Sequence, residues 1–312
     1  MHNPVSVAKR LRWRLELLGL HCVMALFAAL PLDRASALGG RLLRHLGPRL
    51  AVNRVAQANL RLVLPELDQR ERSRLLAAMW ENLGRTAAEY PHLKDIVSGA
   101  DRRVALDLHP SFQARLDGGG AMIVASAHFA NWEVMHLAAG AAGLDVVTVV
   151  RQPNNPLVQR PLEAWRSVTG GQRVPKGREA GRATLKALQS GKTLAILIDQ
   201  KLREGIEATF FGLPAMTSAA PAQLALHTGC PLFPAKLERL GNARFRLTVA
   251  APILPAEGLH RNEAIAAATQ ALNDQLESWI RAKPEDWLWL HRRWPRQLYE
   301  EGAHGATDLS ER

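Results

Sequence analysis

Ala121-Met122-Ile123-Val124-Ala125-Ser126-Ala127-His128-Phe129-Ala130-Asn131-Trp132-Glu133 begins as a buried strand and ends in the first turn of a helix. Four apolar residues precede Ala125. Beyond Glu133, Val134, Met135, Leu137 and Ala138 recur at helical spacing until Gly143. His128 therefore belongs to a strand-to-helix turn, with Glu133 in the opening turn of the helix. On a continuous helix two residues five apart would diverge by about 140°, so their side chains can meet only if His128 precedes the helix. A carboxylate holding an imidazole is the general-base half of a triad without its serine, and the free amides at a helix start suit an anion. The competing reading is a turn histidine followed by a glutamate that complements the helix dipole. Spacing alone leaves both open.

The same alternation of strand and helix recurs downstream. Apolar strands are expected at 121–125, 144–150, 193–198, 207–211, 232–238 and 244–250, with helices at about 131–143, 155–168, 178–188 and 218–228 and a last helix, capped by Asn262, running to Arg281. This pattern predicts an α/β fold, a central mostly parallel or mixed sheet flanked by helices. Residues 1–36 read as a basic segment with an apolar anchor helix, 37–110 as a helical preamble, 111–301 as the α/β core and 302–312 as a disordered tail.

A chain of 312 residues with 47% hydrophobic content can bury a sizeable core. Cys22 and Cys230 are too few for a disulfide framework, which is compatible with a reducing compartment. The formal charge of +11 is concentrated at the N-terminus, where residues 1–61 hold ten Lys or Arg against Glu16 and Asp33. Such asymmetry points to an anionic surface, either membrane or nucleic acid. Lys9, Arg10, Arg12 and Arg14 precede a charge-free run from Leu17 to Leu32. That run rises about 24 Å as a helix, short for a hydrocarbon core of about 30 Å. A membrane anchor or interfacial helix is expected; a signal peptide cleaved near Ala35-Ser36-Ala37 and an ordinary buried helix are the alternatives. A nucleic-acid-binding protein would not need an apolar run between basic clusters, and no aromatic-rich binding motif accompanies them.

His128, Arg151 and Asp199 each follow a predicted strand, where ligands of open α/β sheets gather. Arg151 opens a loop in which Asn155 can cap the next helix, interrupted by Pro161, and Arg166 lies along it. Arg166 can bind a phosphate or a developing oxyanion, or be a solvated helix arginine. Asp199-Gln200-Lys201 offers a carboxylate and an ammonium, or a surface ion pair. Phe210-Phe211-Gly212-Leu213-Pro214-Ala215-Met216 can line an acyl pocket or fill a core. Trp287-Leu288-Trp289-Leu290-His291-Arg292-Arg293-Trp294 suits a membrane interface or a core. Glu133-x-x-His136 has the spacing of half a carboxylate di-iron site. Its two echoes at Glu89 and Glu257 contain Pro91 and Gly258, and the fold is not a bundle, so neither a metal nor another cofactor is expected.

These blocks in this order resemble the lipid A biosynthesis acyltransferases, the late lauroyl and myristoyl transferases of Gram-negative bacteria, relatives of the glycerolipid acyltransferases. The resemblance covers nearly the whole chain: the basic apolar N-terminus, Met79-Trp80-Glu81-Asn82-Leu83-Gly84-Arg85, His128 to Glu133, Arg151 with Asn155-Pro156-Leu157, Asp199-Gln200-Lys201, and Trp289-Leu290-His291-Arg292-Arg293. It implies transfer of an acyl group from acyl carrier protein to a hydroxyl of a lipid A precursor, at the cytoplasmic face of the inner membrane, with no nucleic acid involved. His128 would be the general base and Glu133 its acidic partner, while Arg166, Asp199, Arg151 and Lys201 would bind substrate. The Glu-Gly-Thr-Arg phosphate motif of the glycerolipid relatives is missing, which argues against glycerol 3-phosphate as acceptor. A thioester is already activated, so the hydroxyl can attack directly; Ser126 is the nearby candidate for a covalent route. A thioesterase would use the same histidine with water.

Overall fold

Proline, capping residues and close-packed glycines set out the N-terminal part of the chain. The computed structural model describes residues 6–254 and 258–300; the tail expected at 302–312 lies outside them. Helix α1 (Val7–Ala28) starts at Ser6, whose hydroxyl accepts the Lys9 N–H. Pro31 separates it from α2 (Leu32–Leu46), and α3 (Asn53–Val63) ends just before Pro65. Asp68 and Glu71 form a reciprocal capping box on α4 (Gln69–Glu89), and α5 (Leu93–Ser98) follows Pro91. Helices α2 and α4 approach closely at Gly39 and Gly84. A Cβ on Gly39 would lie 2.5 Å from both the Gly84 carbonyl oxygen and the Ala88 Cβ, so only the bare backbone fits.

The sheet is built from β1 (Val104–Leu108), β2 (Met122–Ser126), β3 (Val146–Val150), β4 (Gln172–Pro175), β5 (Thr193–Leu197), β8 (Leu232–Gly241) and β9 (Arg244–Val249), in the order β1-β9-β8-β2-β5-β3-β4. Every neighbouring pair is parallel except β8 with β9, which form an antiparallel pair. Strands β6 (Ile206–Phe210) and β7 (Leu213–Thr217) form a separate antiparallel hairpin. The intervening helices are α6 (Pro110–Gly118), α7 (Glu133–Ala141), α8 (Gln159–Arg166), α9 (Arg178–Gln189), α10 (Ala220–Thr228) and α11 (Arg261–Ala282). This is the expected mixed α/β sheet with helices on both faces.

Side-chain alternation along β2 divides the core. Met122 points to a cluster with Phe112, Val134, Leu137 and Phe245, whereas Ile123 and Ala125 point to one with Leu60, Trp80, Leu276 and Trp287. With both faces covered, the central parallel strand is a continuous apolar run.

The structure departs from the expected elements in several places. β1 lies within the stretch read as helical preamble, because its exposed middle residues, Ala105, Leu106 and Asp107, mark an edge strand with little apolar signal. β4 was likewise too short and polar to stand out. The apolar turn-rich stretch after Phe210 is half of a hairpin, and Phe211 and Gly212 take its positive-φ corner positions at 56° and 71°. The last helix is capped by His260 rather than Asn262.

No described helix is long and apolar enough to cross a membrane. In α1 the first three turns contain Lys9, Arg10, Arg12, Arg14 and Glu16. The helix nevertheless exposes Val7, Leu11, Leu15, Leu18 and Leu26 at helical spacing, each more than half accessible, while Met24 and Phe27 pack inward with Ala35 and Ala88.

Candidate active site

Strand β2 delivers its carboxyl end into a tight turn. The Phe129 N–H bonds to the Ala127 carbonyl at 2.7 Å, a three-residue turn with His128 at its tip, and Ala130 takes a left-handed φ of 45° before α7 begins. Such a conformation in a residue with a Cβ needs external support. Here the Ala130 N–H donates to the Asp286 carbonyl at 2.8 Å, and Thr86 Oγ1 donates to the Ala130 carbonyl at 3.1 Å. Asn131 donates to Glu89 at 2.9 Å. Glu89, fully buried, is held in turn by Arg239 and by the Ser36 hydroxyl at 2.7 Å.

The imidazole partner differs from the one expected. His128 Nδ1 lies 2.8 Å from Asp199 Oδ1, and the His128 backbone N–H donates to Asp199 Oδ2 at 3.0 Å. Asp199 reaches this position because β5 lies beside β2, with the Ile198 N–H bonded to the Ser126 carbonyl. A third donor, Trp287 Nε1, binds Asp199 Oδ2 at 2.8 Å. Asp199, expected on the substrate side, is therefore the residue that orients the histidine.

Glu133 faces elsewhere. The left-handed step at Ala130 and the start of α7 carry its carboxylate to Arg166, which donates to it from Nε at 2.8 Å and from Nη2, while the Tyr90 hydroxyl donates at 2.8 Å. Its expected contact with the imidazole is thereby corrected; it reaches His128 through its charge alone. The guanidinium of Arg166 is committed to this pair at Nε and Nη2.

The electrostatics follow from burial and pairing. Burial works against charging His128, but the Asp199 carboxylate, by charge and hydrogen bond, outweighs it, and Glu133 adds to the effect; the imidazole titrates above its ordinary value. Burial would raise Asp199, yet the His128 charge and hydrogen bonds hold it below the usual carboxylate range. Glu133 is buried too, and Arg166 keeps it ionised by holding it below its usual value. One turn along α7, His136 is pushed down to about 4 by burial, so at neutral pH it adds no charge.

With Nδ1 turned to a carboxylate, the proton sits on Nδ1 and Nε2 is left as the basic nitrogen. Gln200 Nε2 lies 3.5 Å from it. Trp132 packs edge-on against the imidazole at 5.1 Å between ring centroids. Ser126 is buried, and its hydroxyl donates to the Ala235 carbonyl at 2.6 Å. Lys201 follows Asp199, with its backbone N–H bonded to His291 Nε2 at 3.1 Å. Arg151 is exposed at the carboxyl end of β3, two strands from β2.

The aromatic stretches belong to the core. Phe210 and Phe211 are buried against Trp287, Trp289 and Trp294, which are themselves at most 2% exposed. The described residues contain no group of three or more His, Cys, Asp and Glu arranged to hold a metal ion. Sequence reasoning missed Tyr90, Glu89, Arg239 and Trp287 as parts of the site. All four come from distant segments; Trp287 stands out only within an aromatic-basic stretch and Glu89 only in a metal-like Glu-x-x-His spacing, while Tyr90 and Arg239 carry no signal.

Comparison with known proteins gives three curated relatives with the name phosphatidylinositol mannoside acyltransferase. The one from Mycolicibacterium smegmatis is 28% identical over 196 residues, covering 60% of this chain and 60% of the relative. One from Mycobacterium tuberculosis is 28% identical over 198 residues, covering 60% and 58%. The aligned part thus spans about 60% of the length of these relatives. A crystal structure of the 1-acyl-sn-glycerophosphate (LPA) acyltransferase, PlsC, from Thermotoga maritima aligns over 73% of this chain and 94% of that one, at 12% identity and a TM-score of 0.36. The sequence profile described as bacterial lipid A biosynthesis acyltransferase matches residues 8–296, from the first turn of α1 to beyond Trp294, and the chain therefore belongs to that family.

Proposed function

We propose that this chain transfers a fatty acyl group from a thioester donor to a hydroxyl of a membrane lipid, with His128 as general base. The observation that carries the reading is the His128 to Asp199 pair, which leaves Nε2 basic at the carboxyl end of the central strand. As the acceptor oxygen forms its bond to the thioester carbonyl carbon, its proton passes to Nε2. Asp199 balances the resulting imidazolium. Collapse of the tetrahedral intermediate breaks the carbon–sulfur bond, and the imidazolium returns the proton to the departing thiolate. No covalent acyl-enzyme is required, in keeping with the committed hydroxyl of Ser126.

Acyl carrier protein is the proposed donor and a lipid A precursor the proposed acceptor. Arg151 and Lys201, at the ends of β3 and β5, are the proposed contacts for anionic groups of the substrates. Arg166 serves differently: engaged with Glu133, it keeps that carboxylate charged and oriented beside the site. The second reading, a different membrane lipid as acceptor, is favoured by the phosphatidylinositol mannoside relatives. The exposed leucine face of α1, with Lys9, Arg10, Arg12 and Arg14 beside it, suits the cytoplasmic surface of an anionic inner membrane.

Mass spectrometry of lipid products tests the assignment, using lauroyl- and myristoyl-acyl carrier protein with a lipid A precursor or a phosphatidylinositol mannoside. One added acyl chain on the lipid A precursor supports the first reading, and on the mannoside the second. Free fatty acid alone, with neither lipid modified, would make the protein a thioesterase.

A further inference from the structure

Asp199 is the hinge between the imidazole and the rest of the molecule, and His128 alone cannot fix it. Two of its three donors, the backbone N–H and Nδ1, belong to His128 itself, so together they would let the pair turn as a unit. The third is the Trp287 indole N–H, 2.8 Å from Oδ2, on a ring only 2% exposed. The segment that bears Trp287 is also tied to the histidine turn. The Ala130 N–H donates to the Asp286 carbonyl at 2.8 Å, the Leu288 N–H donates to the His128 carbonyl at 3.2 Å, and Phe129 and Trp287 form an antiparallel bridge. Both members of the pair are thus referenced to one short stretch of chain.

We propose that Trp287 is a positioning residue for acyl transfer, its indole N–H fixing the Asp199 carboxylate so that the carboxylate can fix the His128 imidazole. The inference rests on His128 acting as the base. Burial alone does not single out Trp287, because Trp289 is equally buried in the same cluster, with ring centroids 4.6 Å apart. Trp289, however, donates to the Pro284 carbonyl at 2.8 Å. The two tryptophans form a matched pair, one bonded to the Asp199 carboxylate and one to the backbone.

The test compares Trp287→Phe with Trp289→Phe in the full chain, reading melting temperature, kcat, KM for both substrates, and the His128 titration by nitrogen NMR. Both substitutions should lower the melting temperature to a similar degree. Loss of a hydrogen bond to a charged group should reduce kcat of Trp287→Phe about 10- to 100-fold, with each KM changed less than about twofold. His128 should titrate lower, since burial then meets a poorly placed carboxylate. Trp289→Phe should keep both properties. If the smaller ring prevents folding, benzothienylalanine at position 287, which replaces the N–H by sulfur in a ring of the same shape, should itself show the lowered kcat and the lowered His128 titration. A normal kcat and His128 titration without the N–H, or equal losses in Trp289→Phe, would overturn the proposal. Near-normal turnover in His128→Ala would instead remove the general-base reading, while the titration would still report whether Trp287 sets the pair.

Discussion

Asp199 and His128 lie 71 residues apart in the chain, yet Asp199 Oδ1 sits 2.8 Å from His128 Nδ1, because β5 and β2 are hydrogen-bonded neighbours in parallel register with Ser126 opposite Leu197. Each residue follows the end of its strand. Adjacent parallel strands lie about 4.8 Å apart, so residues just beyond two neighbouring carboxyl ends fall within reach of each other. The site is a consequence of strand order.

The pair dictates a pH profile. His128 must be neutral to accept a proton, and its titration is raised, so kcat/KM should rise with pH through a midpoint above about 6.5, the ordinary imidazole value. In Asp199→Asn, burial is no longer outweighed, and the midpoint should move to lower pH while kcat drops. Stability carries the matching signs: the raised His128 contributes most below its unfolded value and loses that contribution as pH rises through the folded value. Asp199, held low, contributes above its unfolded value and loses it as pH falls. An unmoved acid limb in Asp199→Asn would contradict this account.

Glu133 and Arg166 should behave as a buried ion pair. Glu133→Gln leaves the Arg166 guanidinium without its charge partner, so the protein should lose about 3–5 kcal/mol of stability, measured by urea unfolding. The loss of kcat should be smaller than in Asp199→Asn, because Glu133 influences His128 by charge and not by a hydrogen bond. A larger loss of kcat than in Asp199→Asn would assign Glu133 a direct part in the chemistry.

Glu89 and Arg239 support the turn from below. Glu89 is fully buried and receives Arg239 at Nη1 and Nη2, Ser36 and Asn131. Glu89→Gln should cost about 3–5 kcal/mol. Because Asn131 belongs to the strained turn, amide exchange at residues 128–131 should accelerate more than in α11.

The exposed face of α1 predicts a salt-sensitive association with lipid. Leu11→Ser together with Leu15→Ser should weaken sedimentation with phosphatidylglycerol-containing vesicles without lowering the melting temperature, since both side chains are more than half exposed. Equal binding to neutral and anionic vesicles at all salt concentrations would argue against the basic cluster taking part.

What could be read from the sequence divides along physical lines. The β2-to-α7 unit was legible because a buried parallel strand is a continuous apolar run and an amphipathic helix is periodic. His128, Asp199 and Arg151 were found at strand ends for the same reason. The pairing between them was not legible, since strand order is not written in any local window. Spacing leaves the partner of His128 open and the family resemblance points to Glu133, while the left-handed residue at Ala130, which turns Glu133 away, has no glycine to announce it. β1 is not legible, because an exposed edge strand has little apolar pattern. The tryptophans of the last segment were ambiguous for a further reason: an indole with a buried ring and a donated N–H has the same composition as one at a membrane surface.

The most direct measurement is a double-mutant cycle of kcat over wild type, His128→Ala, Asp199→Asn and the double mutant, on folded protein with saturating donor and acceptor. If Asp199 acts through the imidazole, His128→Ala should lower kcat by about 10²- to 10⁴-fold, and adding Asp199→Asn should reduce it hardly further. Multiplicative losses would place Asp199 in a separate role, and near-normal turnover in His128→Ala would contradict the mechanism itself.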